Sequence, residues 1–361
     1  MHKGKMMSRR LCYGLITLFI AAPALASLTI ATGPKTGTYI AIGRDISRIG
    51  KAAGVDVQVQ ESTGSIDNIK RLNTHEGASL AIVQSDVLGF LKRSKNENSK
   101  KMASHLRVIA PLYREEVHVL ARGDIKTFAD IKGKRVVVGE DGSGHMLTAI
   151  NLLSLLDVLP SQTLKLSEPQ GVLALLENRA DVMIYVGGKP VKLFKNLETL
   201  PTAEGQKYAA LARDLHFIPL DDPKVLEEYA SASLTPEDYA FIAAPIPTIA
   251  VTAVLVDYDY AQVEKDKKKN EHYLERCKEI HTLMQALQAH IGELQESGHP
   301  KWKEVSLDTQ LPGWEKDGCA WEGPKPPKAE KAEKKSKPKA KHASHHKTTP
   351  RHYAEAAAQD R

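Results

Sequence analysis

Val57-Gln58-Val59-Gln60-Glu61-Ser62-Thr63-Gly64-Ser65-Ile66-Asp67-Asn68-Ile69-Lys70-Arg71-Leu72 is the stretch on which the fold turns. Alternating β-branched residues end in a small polar loop, and Ile66, Ile69 and Leu72 then recur on one face of a helical pattern. The stretch predicts a strand, a tight turn and a helix. Hydroxyls of Ser62, Thr63 and Ser65 gather there with the unpaired N–H groups of a helix N-terminus, where an anion is favoured. Taken alone, the turn reads more simply as an N-cap in which Ser65 or Thr63 satisfies the helix's own donors.

The neighbouring stretches repeat the pattern. Leu28 to Thr32 reads as a strand, Gly33 to Thr38 as a loop, and Tyr39, Ile42, Ile46 and Ile49 as one face of a helix closed by Gly54. Leu80 to Val83 is a nearly continuous apolar strand ending in Gln84-Ser85-Asp86. Strands alternating with helices imply a parallel sheet covered on both faces, in which ligands bind outside the carboxyl ends of the strands. All three carboxyl-end loops are small and polar. A second copy follows: Arg135 to Gly139 empties into Glu140-Asp141-Gly142-Ser143-Gly144-His145, with a helix over Met146 to Leu156. That half continues through Leu164 to Leu166, a helix over Val172 to Asn178, and the strand Val182 to Val186 ending at Gly187-Gly188-Lys189-Pro190.

The expected fold class is therefore α/β, with two lobes and a ligand cleft between them. Lobe 1 spans 27–116 and lobe 2 spans 117–247, with 248–323 returning to lobe 1. Arg107 to Leu112 and Val117 to Ala121 read as two strands crossing between lobes, and Thr248 to Val256 as the strand that returns. Asn96 to Ser104 reads as a surface loop or frayed helix end. Glu264 to Glu296 reads as one long helix packed along a lobe, with Trp302, Trp314 and Trp321 against it.

Charge sits at the chain ends. The net charge is +6, but residues 1–26 carry +4 and residues 322–361 carry +6, which leaves the body at −4. A mildly acidic body gives no support to specific nucleic-acid binding. Lys3, Lys5, Arg9 and Arg10 precede the apolar run Leu11 to Ala22 and then Pro23-Ala24-Leu25-Ala26, the pattern of an export signal cleaved after Ala26, so a periplasmic protein is expected. The mature chain keeps Cys277 and Cys319 in an oxidising compartment, compatible with either a disulfide or two separate buried thiols. Residues 324–361 are rich in Lys, Ala, Pro and His and cannot build a core, so a disordered basic tail is expected, suited to an anionic envelope polymer or lipid. His342, His345 and His346 lack a folded frame for a metal.

Catalytic patterns are missing. Ser143 stands near His145, but the Gly-x-Ser-x-Gly elbow is absent, as are a Walker-type loop, a Gly-x-Gly-x-x-Gly after the first strand and Cys/His metal spacing. Asp86 and His118 are isolated titratable residues, of a kind that serves more often as caps or structural partners than as an acid and base. No enzyme, cofactor or metal is expected.

The chain resembles the TRAP-transporter-associated extracytoplasmic immunogenic (TAXI) family of solute receptors. The resemblance rests on Ile30-Ala31-Thr32-Gly33 with Gly37-Thr38-Tyr39, Ser62 to Ile69, Ala81 to Asp86, Lys132 to Val136, Gly142-Ser143-Gly144 and Gly187 to Pro190. It implies a type 2 periplasmic binding-protein fold closing over a small carboxylate or amino acid, glutamate-like, and delivering it to a TRAP-type membrane permease. By position it implies that Gly37, Thr38 and Tyr39 wall the cleft. Ser62, Gly64 and Ser65 would bind ligand oxygens, Gln84 and Ser85 would add polar contacts, and Ser143 and Gly144 would close from the other lobe. Ile40-Ala41-Ile42 departs from the family, which has a further aromatic and a proline here, and the basic tail is no part of the family pattern. The competing expectation is an envelope interaction or signalling module of the same fold, attached through that tail.

Overall fold

The computed structural model describes residues 27–325 apart from 75–76, 196, 198–210 and 263–265. The expected export segment and basic tail lie outside the described residues. The first half is built from β1 (Ser27–Ala31), α1 (Thr38–Ala52), β2 (Asp56–Gln60), α2 (Ser65–Asn73), β3 (Leu80–Gln84), α3 (Ser85–Arg93) and α4 (Glu97–His105). β1 pairs in parallel with β2 and β3. All five β3 residues are buried, as a strand covered on both faces requires. Against one face α1 lays Ile42, Ile46 and Ile49, each worth about 1.5–3 kcal/mol when fully buried. α2 and α3 cover the other with Ile69, Leu72, Val87 and Leu88.

Two long strands carry the chain across. β4 (Leu106–Arg122) and β10 (Ile246–Tyr258) pair antiparallel along most of their length. β10 also pairs antiparallel with β3, and β4 with β7. The second half holds β5 (Arg135–Val137), α5 (Gly144–Leu155), β6 (Gln162–Leu164), α6 (Glu168–Leu176), β7 (Val182–Gly187), α7 (Lys192–Lys195), β8 (Leu215–Phe217), α8 (Pro223–Leu226) and β9 (Ala230–Leu234). β5 is parallel to β6 and β7, so the sheet order is β2-β1-β3-β10-β4-β7-β5-β6. Separate apolar clusters fill the two halves: Val119, Val136, Leu152 and Ile184 belong to one on the far side, and Leu28, Ile30 and Ile82 to one on the near side. This is the two-lobed architecture of a type 2 periplasmic binding protein.

Several elements differ from expectation. The two short strands near residue 112 are one 17-residue strand, because Tyr113 to Glu116 contain no turn residue and Arg114 to Glu116 pair with Ala250 to Thr252 of β10. Residues 97–105 form helix α4, capped by Asn96, whose side chain accepts from Asn98 N and Ser99 N. The long C-terminal helix is two, α9 (Lys267–Ala289) and α10 (Ile291–Ser297), divided at His290. Trp302 and Trp321 do pack in the α9 cluster. Trp314 packs instead on the α2/α3 side, with the Lys92 ammonium 4.1 Å from its ring centroid. Cys277 of α9 and Cys319 of α11 (Gly318–Glu322) form a disulfide, with Cα atoms 4.8 Å apart.

Candidate functional site

β3 runs antiparallel to β10, β10 to β4, and β4 to β7, so the parallel strands of the two halves point at each other. Their carboxyl ends consequently meet at one cavity. The near wall is Gly33, Pro34, Gly37, Thr38 and Tyr39 after β1, Gly64 and Ser65 after β2, and Gln84 at the end of β3. Gly144 and His145 after β5, Glu168 after β6, and Tyr185, Val186 and Gly187 of β7 face them, and Glu115 joins from the crossing strand β4. The enclosed volume is about 30 Å³, space for roughly two water-sized groups.

Two carboxyl groups dominate this cavity. Glu115, only 3 % exposed, accepts a 2.7 Å hydrogen bond from the Tyr39 hydroxyl. Burial pushes its carboxyl up to about 8 despite that bond. Glu168 accepts from the Tyr185 hydroxyl at 3.1 Å, and His145 Nε2 stands 3.7 Å from the same carboxyl oxygen. Among the described residues, neither Lys nor Arg lines the cavity. Gln84 Oε1 and His145 Nδ1 are buried without a hydrogen-bond partner.

Backbone contacts lock the halves together beside the cavity. The carbonyl of Gly142 accepts from Ile66 N at 3.1 Å and Asp67 N at 3.0 Å. These first-turn donors of α2 were expected to await an anion; a partially negative carbonyl from the opposite half takes that place. Gly64 passes Ser143 at φ +124° and ψ −155°, where a Cβ would lie 3.3 Å from the Ser143 Cα. Gly144 leaves no room for a side chain, since its Cβ would fall 1.5 Å from Gln84 Oε1.

Of the residues singled out from sequence, Gly37, Thr38, Tyr39, Gly64, Ser65, Gln84 and Gly144 line the cavity together. Ser65 Oγ accepts there from the backbone N–H of Gln84 at 3.0 Å. Three serines lie outside the lining because their hydroxyls serve the fold. Ser62 Oγ donates to Thr32 O at 3.0 Å and accepts from Gly64 N. Ser85 Oγ accepts from Thr252 N, tying α3 to β10. Ser143 Oγ caps α5 by accepting from Met146 N and donates to Glu140 O. Asp86 opens onto a separate groove of about 500 Å³ and is held up at about 6 by burial. That groove is larger, but apart from Ser85 and Asp86 at the end of β3 its walls are α3, residues 227–230 and Ala250 to Thr252 of β10, not loops from both sets of parallel strands. His118 is sealed in an aromatic cluster, its Nε2 2.7 Å from the Tyr239 hydroxyl, and burial lowers it to about 3. A neutral, walled-in imidazole is no acid or base for the cleft.

Glu115, His145, Glu168 and Tyr185 are the lining residues that sequence reading passed over. Glu115 had one signal, its place in a four-residue gap between strands that lacks any breaker. His145 was visible as the last residue of the Gly142 loop, with nothing in the sequence to show which way it points.

Fold and cleft together define a two-lobed α/β binding protein. The chain belongs to the NMT1-like family, whose model matches residues 30–296. It is similar in fold to a conserved Candida albicans gene product described as having the generic periplasmic binding protein fold, at 15 % identity over 80 % of this chain and 83 % of that one, with a TM-score of 0.43. An arginine transport-system periplasmic binding protein of Legionella pneumophila is 17 % identical over 75 % and 98 %, with a TM-score of 0.41. The arginine-, lysine- and histidine-binding protein ArtJ of Geobacillus stearothermophilus is 12 % identical over 77 % and 94 %, also at 0.41. Among the described residues no helix is long and apolar enough to cross a membrane, and no group of three or more His, Cys, Asp or Glu side chains is placed to hold a metal.

Proposed function

We propose that this chain is an extracytoplasmic receptor that closes its two lobes over a small solute and passes it to a TRAP-type membrane permease. The observation carrying this reading is the convergence of loops from both halves on one cavity, with polar side chains from each half, at the carboxyl ends of opposed strands. Several of the stretches in which the chain resembles TAXI receptors, those around Gly37, Gly64, Gln84 and Gly144, supply residues to this cavity. β4 and β10 are the crossing strands about which closure would occur. The lining favours a solute that presents an amino group over a plain dicarboxylate. Buried Glu115 and Glu168 supply no countercharge for a second acidic group, and among the described residues no lysine or arginine lines the cavity to provide one.

Mass spectrometry of small molecules released from protein purified out of its native envelope tests the reading. A stoichiometric solute is expected, with its stabilisation of the fold weakened in Ser65→Ala combined with Gln84→Ala. A protein that releases no small molecule, and whose melting temperature responds to none in a broad screen, refutes it. Uptake of the released solute by cells lacking the chain tests the permease step, and unchanged uptake removes that part alone.

A further inference from the structure

We propose that the group recognised in this cleft is a protonated nitrogen, held between Glu115 and Glu168, so that the solute is a small organic amine rather than an acid. The inference rests on the receptor reading and narrows its ligand. Three independent features point to a cation. First, both ionisable carboxyls lining the cavity come from different elements, β4 and α6, and among the described residues no basic lysine or arginine lines it to neutralise them. Second, Gln84, 2 % exposed, presents an amide oxygen that nothing in the chain satisfies, an acceptor calling for a donor. Third, the rings of Tyr39 and Tyr185 line the same space, and their hydroxyls donate to the two carboxyls, which holds each carboxyl in place beside an aromatic wall. The volume, about 30 Å³, suits an ammonium or methylammonium head.

A cation also resolves the awkward state of Glu115. Its surroundings are the Tyr39 and Tyr113 hydroxyls, the carboxyls of Asp86 and Glu116, and the Lys301 ammonium. Burial outweighs the single lysine and raises the carboxyl to about 8, so without a further cation it holds its proton at neutral pH. An incoming ammonium group supplies the missing countercharge, and Glu115 gives up its proton to buffer as the amine binds.

The test is a melting and calorimetry series on the full-length mature protein with ethanolamine, putrescine, succinate, glutamate and glycerol as probes. The amines are expected to raise the melting temperature and the other three to leave it unchanged. Glu115→Gln and Glu168→Gln are expected each to weaken amine binding at least tenfold. Gln keeps the size and the carbonyl acceptor of Glu at both positions, so both variants should fold, and their unliganded melts establish that. Binding heats at pH 7 should differ between buffers of different ionisation enthalpy in the wild type and not in Glu115→Gln. Stabilisation by succinate, glutamate or glycerol with none by the amines overturns the proposal and leaves a receptor of another specificity. Amine binding unaltered in both Gln variants overturns it as well. If none of the probes acts and no molecule is released on denaturation, the receptor reading falls with it.

Discussion

Gly64→Ala probes the contact between the halves most directly. Gly64 sits at φ +124° and ψ −155°, a region open almost solely to glycine, and strain there costs about 1–3 kcal/mol for a residue with a Cβ. The added methyl would also stand 3.3 Å from Ser143 Cα and 3.5 Å from Gly144 N, a tight fit that exists only while the halves are together. With an unfolding entropy of about 2.1 cal/mol/K per residue, a folded body of roughly 300 residues loses about 2–5 °C in Tm for that strain. Gly54→Ala serves as the control: φ is +80°, but nothing lies within 4 Å of its Cβ. Thermal melts and small-angle scattering on both variants separate the two effects. Gly64→Ala should melt lower and show a larger radius of gyration, while Gly54→Ala should keep the wild-type radius. A Gly64→Ala melt within a degree of wild type would refute the strain argument. Equal radii in the two variants would refute the idea that this loop holds the halves shut.

Reduction of the Cys277–Cys319 bond, or replacement of both cysteines by Ser, should destabilise the fold; the bond spans 42 residues, a loop worth about 4 kcal/mol in chain entropy, or roughly 6 °C. Stability should fall as pH rises from 4 to 8. Asp257 and Asp317 are both fully buried; Asp317 Oδ2 accepts from Ala320 N, but no N–H or O–H among the described residues is placed to satisfy the Asp257 oxygens, which favours a protonated Asp257. Burial holds Asp317 at about 6, although a hydrogen bond from Asp257 works the other way, and burial together with the charge of Asp317 holds Asp257 well above the ordinary carboxyl range. A raised folded-state value means that the stabilisation is complete below the unfolded value and lost as pH climbs through the folded one, about 3 kcal/mol at most for Asp317. Denaturant titrations of wild type and Asp257→Asn across that range check this, and identical slopes against pH would count against it. Ser62→Ala and Ser85→Ala should each cost about 1 kcal/mol of stability through lost backbone partners, without changing solute affinity. A change in affinity would return those hydroxyls to the cleft.

Much of this fold could be read in the sequence because parallel strands advertise themselves. Leu80 to Val83 is apolar on both faces, and each strand of the first half is followed by a loop and a helix with its own period. The loops of the cleft were legible for the same reason, since Gly37, Gly64 and Gly144 punctuate strand ends. The charge of the site was not. Glu115 looked like part of a polar break, and only pairing of β4 with β10 carries it into the interior. Ser62, Ser85 and Ser143 show the converse problem: a hydroxyl at a strand end serves equally well as a cap or as a ligand contact, and the choice depends on partners such as Thr32 O and Thr252 N. Trp314 likewise followed local chain direction onto the α2/α3 side, which no periodicity signals.

The Gly142 carbonyl seated on the first turn of α2 has a consequence for traffic at the membrane. On the receptor reading, the chain's own peptide group stands where an anion would and fastens the halves without drawing on the solute. A transporter that inspected only the outer contour could not tell cargo from vacancy. Discrimination would then rest on how long the latch stays fastened, a matter of dwell time rather than of shape.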